Sequence, residues 1–412
     1  MARKVLHLLA QRPLLTGSGV SLDAVVRCAS RAGWDQHVVV GVPREDPRPA
    51  VGGLEASRIH PMLFETGSLD FPVPGMSDVM PYRSSRYASL NTRQLAAYRE
   101  AWRTHIGKVI SSFQPDVIHS RHIWLMSSML KDIAPNTSVV TQCHATGLRQ
   151  IRLCPHLAEE VCRGCARNDA FFVLHRGHAD ALADQLRIDP KRIHVVGAGY
   201  RDTLFHARNR SRGTGTQIVY AGKYSRAKGL PQLLDAVERL TSCFPDLRLH
   251  VAGDGAGSEA EGIRKRMRAM GSRVVMHGQI EQEALADLFR SSDVFVLPSF
   301  YEGLPLVLVE AAACGCRLVC TDLPSVRAGL GSAFGRLVNW VPMPRLIGPD
   351  TAVDEDLPAF VDRLVATLAG AIESGPIDTP REQVSTILDV FTWDAVFARI
   401  ETIWQSLADG RD

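Results

Sequence analysis

The chain has 412 residues, 45% of them hydrophobic and 22% charged, a balance that fits a water-soluble globular protein long enough for two domains. It holds no apolar run of about 18 residues, which excludes a membrane-spanning helix, and no basic run interleaved with aromatics, which argues against nucleic acid as a partner. The net charge is +3, but residues 1–205 carry 25 Lys and Arg against 18 Asp and Glu while the remainder carries 22 against 26, so the first half is expected either to meet an anionic acceptor or membrane surface peripherally, or simply to be solvated.

Met1-Ala2-Arg3-Lys4 followed by Val5 to Ala10 has too short an apolar core for a signal peptide, and residues 5–9 read as a first buried strand. With no export signal, the nine cysteines are expected as reduced thiols in a cytoplasmic protein. Thr16-Gly17-Ser18-Gly19-Val20 leads into a helix with Leu22, Val25, Val26 and Ala29 inward; Gly33 ends it, and residues 38–40 form the next strand. Strand, glycine turn, helix, strand is an arrangement that cradles phosphate, because Gly17 and Gly19 let backbone amides approach an anion; a plain tight turn is the other reading. Residues 44–91 lose periodicity and read as loops and short strands. Arg83, Arg86, Arg93, Arg99 and Arg103 lead into a helix over 91–113, either an anion-binding face or a solvated one. Residues 115–119 are a strand, with His122 beyond its carboxyl end facing an acceptor or serving the core. Residues 138–141 are another, ending in Gln142-Cys143-His144-Ala145-Thr146-Gly147. Cys154, His156, Cys162 and Cys165 offer four metal-ligand types with one C-x2-C pair, the half-site of a structural zinc. Buried free thiols are the default there, and no metal is expected. Strands at 171–174 and 193–196 complete this sheet.

Residues 207–217, polar, basic and glycine-containing, read as an interdomain linker. A strand at 218–221 and a turn over Gly222 to Gly229 follow, then a helix with Leu230, Leu233, Leu234, Val237 and Leu240 on one face. Lys223 and Lys228, both in a turn ahead of a helix, make a compact cationic site for a diphosphate. Residues 248–252 and 274–278 repeat the strand-then-glycine theme. Next come an apolar strand at 294–297, a turn from Ser299 to Gly303, a helix over 304–313 ended by Gly315, and a second buried strand at 317–320. This order places the turn and helix start at the carboxyl end of a parallel sheet, where ligands bind in open α/β folds. Glu302 and Glu310 stand about two helical turns, or roughly 11 Å, apart. That is too far to share a proton and suits one extended ligand gripped at two places. Amides near Gly303 and Leu304 are expected to meet negative charge on that ligand. Glu310, set among Leu306 to Val309 and Ala311 to Ala313, needs a partner or a wet cleft. The last helix, over 393–407, carries an apolar stripe of Trp393, Val396, Phe397, Ile400, Ile403 and Trp404.

The run Pro298-Ser299-Phe300-Tyr301-Glu302-Gly303-Leu304-Pro305, continuing to Glu310, resembles the E-x7-E region of retaining family 4 glycosyltransferases. Lys228-Gly229 resembles the end of that family's Arg-x4-Lys-Gly turn, with Lys223 in place of the arginine. The resemblance implies an α/β fold of GT-B type, two doubly wound Rossmann-like domains facing across a cleft. Residues 1–206 would be the acceptor-side domain, 207–217 the linker, 218–385 the nucleotide-sugar domain, and 386–412 a helix packing back on the first domain. It also implies retaining transfer of a sugar from a nucleotide-diphosphate donor to a glycan, lipid or small-metabolite acceptor, with no metal or other cofactor required. Lys223 and Lys228 would then stabilise the leaving diphosphate, Glu302 position the sugar's hydroxyls and Glu310 hold the ribose. Gly17 and Gly19 would face the diphosphate. His144, in a segment where the family has His-Gly and this chain has His144-Ala145, would approach the transferred sugar. Other GT-B activities, a nucleotide-sugar epimerase or a sugar phosphorylase, and a catalytically silent nucleotide-sugar-binding protein are the alternatives.

Overall fold

Short apolar runs bounded by glycine and proline become the inner strands of two parallel sheets. The computed structural model describes residues 2–77, 80–208, 210, 214–348, 350–375 and 381–410. The chain divides into two units, Met1–Ala198 with Trp393–Asp412, and Gly199–Thr392.

In the first unit, the described strands of the large sheet are β1 (Lys4–Leu9), β2 (Asp35–Val42), β3 (Ile59–Leu63), β4 (Val117–Arg121), β5 (Ser138–Gln142), β6 (Ala170–Val173) and β7 (Ile193–Val195), in the order β3-β2-β1-β4-β5-β6-β7. All neighbours pair in parallel. The helices that bear on the site are α1 (Gly17–Arg31), α2 (Thr92–Phe113), α3 (Ala145–Leu153), α4 (Pro155–Cys165) and α5 (Arg176–Leu186). The second unit repeats the plan with β8 (Gln217–Ala221), β9 (Arg248–Ala252), β10 (Val274–Gly278), β11 (Val294–Leu297), β12 (Arg317–Thr321) and β13 (Val338–Val341), in the order β10-β9-β8-β11-β12-β13. Its relevant helices are α6 (Leu230–Leu240) and α7 (Leu306–Ala313). Each sheet therefore reverses its chain order once, between β1 and β4 and between β8 and β11, and such reversals open the crevices in which α/β folds take ligands.

The last helix, α8 (Trp393–Asp409), belongs to the first unit. Its apolar stripe, Trp393, Val396, Phe397, Ile400 and Trp404, is buried with Val5, Val25, Val117, Val140 and Phe172. Trp34 Nε1 donates to Glu401 at 2.9 Å and Arg3 pairs with Asp409 at 2.7 Å, so the middle and the C-terminal end of the helix are tied down.

One strand lies where none is expected from sequence, β13, which follows the last expected strand. β3 sits inside the stretch read as loops and short strands, where the sequence gives no strand its bounds. Both are sheet edges. Of the expected linker, residues 209 and 211–213 lie outside the described residues, as do 376–380 of the expected second domain. Arg210 donates to the carbonyls of Gly315 and Ser292, both in the second unit. No described helix is long and apolar enough to cross a membrane.

Candidate functional site

In the second unit the turns after β8 and β11 are neighbours because their strands are. The turn after β8 is tied down by Tyr220 Oη, which donates to the Lys223 carbonyl at 2.8 Å, and by the Phe300 N–H, which donates to the Ala227 carbonyl at 2.9 Å. Gly229 has a φ of 65°, and a Cβ there would lie 2.0 Å from the Pro298 carbonyl oxygen, so only glycine fits. This packing delivers Lys228 to the loop after β11. Its Nζ donates to Glu302 Oε1 at 2.7 Å and to the Tyr301 carbonyl at 3.3 Å. The same Oε1 accepts from Ser299 Oγ at 2.7 Å, and Ser325 Oγ donates to the Glu302 carbonyl at 2.8 Å. Glu302 is held at its backbone and at one carboxylate oxygen, while Oε2 is uncommitted among the described residues. Ser299 and Ser325 carry no sequence signal for this work. Lys223 is exposed at the start of the same turn.

The helix after this loop begins at Leu306, two residues later than expected. Pro305 is its N-cap, and a residue ahead of a proline is kept out of the α region, so Gly303 and Leu304 belong to the turn instead. The N–H groups of Gly303, Leu304 and Val307 donate to nothing among the described residues, which leaves three amides available to an anion. Farther along α7, Glu310 is half-buried beside the buried Leu308, Val309, Ala311 and Ala312. Its carboxyl makes no hydrogen bond or ion pair among the described residues, and burial pushes it up to about 7.

In the first unit, Gly17 and Gly19 form the opening turn of α1 itself. Thr16 caps that helix, its Oγ1 accepting the Gly19 N–H at 3.2 Å. A Cβ on Gly19 would come within 2.5 Å of the Leu14 backbone nitrogen, which explains the glycine. The N–H groups of Gly17 and Ser18 donate to nothing among the described residues. His144 stands at the N-terminus of α3, so the segment that follows β5 is a helix start with Gly147 inside it. The His144 ring is 4.8 Å from that of His122, and its Nε2 has no hydrogen-bond partner among the described residues. Burial first, then His122, Arg121 and His178, hold it well below the ordinary imidazole range, so it is neutral. His122 occupies the left-handed region with φ 70°, and its Nδ1 lies 3.4 Å from Thr146 Oγ1.

Lys228, Glu302, Gly303, Leu304 and Glu310, with Lys223 nearby in sequence, thus belong to the second unit, and Gly17, Gly19 and His144 to the first. The zinc alternative does not assemble. His156 is exposed, Cys154 and Cys165 are buried with hydrogen bonds to Gln150 Oε1 and the Trp124 carbonyl, and Cys162 takes a contact from Gln185. In the arginine-rich stretch, Arg83 pairs with Glu65 at 2.7 Å, Arg93 with Asp70 at 2.6 Å and Arg99 with Glu160 at 2.6 Å, while Arg86 and Arg103 are exposed.

Residues 16–199 match the model of the glycosyl transferase 4-like domain, and residues 202–338 that of glycosyl transferases group 1. Phosphatidyl-myo-inositol mannosyltransferase of Mycobacterium tuberculosis is 27% identical over 201 residues, 47% of this chain and 48% of that protein. The chain spans about a third to a half of the length of curated relatives that it matches. Among solved structures, sucrose-phosphate synthase from Thermosynechococcus elongatus superposes with a TM-score of 0.70 at 17% identity, covering 99% of this chain and 100% of that one. Anabaena HepE in complex with UDP and glucose gives 0.61 at 15% identity, covering 98% of each chain. With a matching family model on each unit and whole-chain likeness to these folds, the chain belongs to the family 4 (group 1) glycosyltransferases and has the GT-B fold.

Proposed function

We propose that this chain transfers a glycosyl group from a nucleotide-diphosphate sugar to an acceptor, with retention at the anomeric carbon and with no divalent ion needed at the diphosphate. The observation that carries the reading is Lys228, held 2.7 Å from Glu302 on a loop whose Gly303 and Leu304 amides are uncommitted. As charge builds on the leaving diphosphate, the ammonium group and these amides offset it from fixed positions. Lys223, in the same turn, adds a second charge. Glu302 offers its uncommitted Oε2 to the hydroxyls of the transferred sugar. Glu310 accepts from the ribose hydroxyls, the partner its apolar setting lacks. In the first unit the amides at Gly17 and Ser18 meet the diphosphate, and neutral His144 hydrogen-bonds a sugar hydroxyl. Departure and attack on the same face of the sugar need no covalent nucleophile. A relative titled as a mannosyltransferase and a fold neighbour solved with UDP support a nucleotide-sugar donor.

The test is thermal denaturation with a panel of nucleoside diphosphates in the presence of a chelator. One or more of them raises the melting temperature by several degrees, and Glu310→Ala removes most of that shift. Product analysis by NMR then reads the anomeric configuration. If no nucleotide stabilises the protein unless a divalent ion is added, the metal-independent reading falls.

A further inference from the structure

The carboxyl edge of β4, β5 and β6 gathers basic side chains to which the described residues supply no counter-charge. Arg121 ends β4 and is 1% exposed, yet its Nε, Nη1 and Nη2 all lack a hydrogen-bond partner among the described residues. His122 follows it, His144 follows β5, and His175 and His178 lie where β6 passes into α5, their rings 3.8 Å apart. Nε2 of His122, Nε2 of His144, both ring nitrogens of His175 and Nδ1 of His178 are likewise buried without partners. Arg121 acts on His122 and His144 and also on the buried His7 and His119. No Asp or Glu is among the groups acting on the guanidinium or on the rings of His122, His144, His175 and His178. Asp180, the nearest acid along α5, is exposed and faces Arg176.

Burial pushes Arg121 down only to about 9, so it is charged at neutral pH. A guanidinium without carboxylate, carbonyl or hydroxyl partner is among the least favourable groups to bury, and a fold that keeps one does so where something else offsets it. The cluster meets solvent at His144 and His178, both half-buried. The first N–H groups of α5, Arg176 and Gly177, donate to nothing among the described residues and add donors at the same edge.

We propose that this cluster is an oxyanion subsite of the first unit. It takes a phosphate or carboxylate group, with the charge coming from Arg121 and hydrogen bonds from the His144 and His178 rings. The inference rests on the glycosyl-transfer reading only for the source of the anion, which is then either the donor's diphosphate or an acid group on the acceptor.

The experiment is thermal denaturation of the full chain at constant ionic strength with inorganic phosphate, a nucleoside diphosphate, or both, for the parent, Arg121→Gln and His178→Asn. Phosphate at tens of millimolar raises the parent's midpoint by on the order of 2–4 °C over matched chloride. The shift disappears in Arg121→Gln and falls by at least half in His178→Asn. Without phosphate, Arg121→Gln is at least as stable as the parent, since it loses an uncompensated charge. Shifts from phosphate and nucleotide that add assign the anion to the acceptor. A phosphate shift abolished by nucleotide, together with a nucleotide shift weakened in Arg121→Gln, assigns it to the donor. Phosphate acting no better than chloride, or acting equally on parent and variants, overturns the subsite. Should Arg121→Gln fail to fold, His178→Asn decides. Loss of the nucleotide shift in Glu310→Ala reports separately on the glycosyl-transfer reading.

Discussion

Lys228 and Arg121 stand at the same kind of place, where the chain order of a parallel sheet reverses, yet their surroundings are opposite. The Lys228 side chain is 25% exposed and faces a carboxylate at 2.7 Å. Arg121 is 1% exposed and faces imidazoles. A partly buried pair such as Lys228–Glu302, held by a further hydrogen bond from Ser299, chiefly fixes geometry. A buried unpaired cation weakens the free protein and keeps its full field for a ligand. The second unit is therefore organised before any ligand arrives at Lys228, whereas the first unit holds a site that is electrostatically incomplete without one.

The largest effect that sharpens this contrast is expected from Trp404→Ala. The indole lies with its centroid 5.5 Å from those of His7 and His119 and 5.2 Å from Trp34, forming part of the packing beneath the Arg121 cluster. Emptying that position costs about 3–5 kcal/mol. By calorimetry without nucleotide the transition of the first unit drops by on the order of 10 °C, and that of the second unit by much less. An equal fall of both would remove the independence on which the comparison depends. Lys228→Ala comes next, and it acts on chemistry rather than on folding. Turnover falls by about 10²–10³, the loss typical of one preorganised donor facing developing charge, with a smaller change in stability. A loss of activity accompanied by an equal loss of stability would make the lysine a structural prop.

How much of this could be read from the residues alone follows from where each feature is encoded. The inner strands were legible because a strand covered on both faces must be apolar throughout, as in Val294 to Leu297. β13 was not, and β3 was legible only as a short strand without bounds, because an edge strand escapes that demand. β3 carries His60 and Pro61, and β13 carries Asn339 and a half-buried Trp340. Glu302 and Glu310 stood out by spacing within one strand–turn–helix unit. The ion pair of Glu302 with Lys228 spans 74 positions and is set by Gly229 lying against Pro298, which only the folded chain reveals. Arg121 gave even less warning. In sequence it is one more arginine between Ser120 and His122, and its lack of partners is a property of packing.

Glu310 offers the subtlest way to break the comparison, because it is a carboxyl of the second unit left unpaired among the described residues. Burial places its carboxyl at about 7 against an ordinary 4.5, so the folded state holds a proton that the unfolded state has released. Its contribution to stability is thus complete below about pH 4.5 and is lost as pH rises through 7. Glu310→Gln cannot titrate, so urea midpoints at pH 5 and pH 8 should show the variant gaining on the parent by on the order of 1–3 kcal/mol. Ribose hydroxyls donating to the carboxylate favour its charged form, so nucleotide affinity rises with pH across neutrality in the parent and stays flat in the variant. Matching pH slopes in the two proteins would leave Glu310 without a ligand. The second unit would then be complete at Lys228 alone, and the contrast with Arg121 would become absolute.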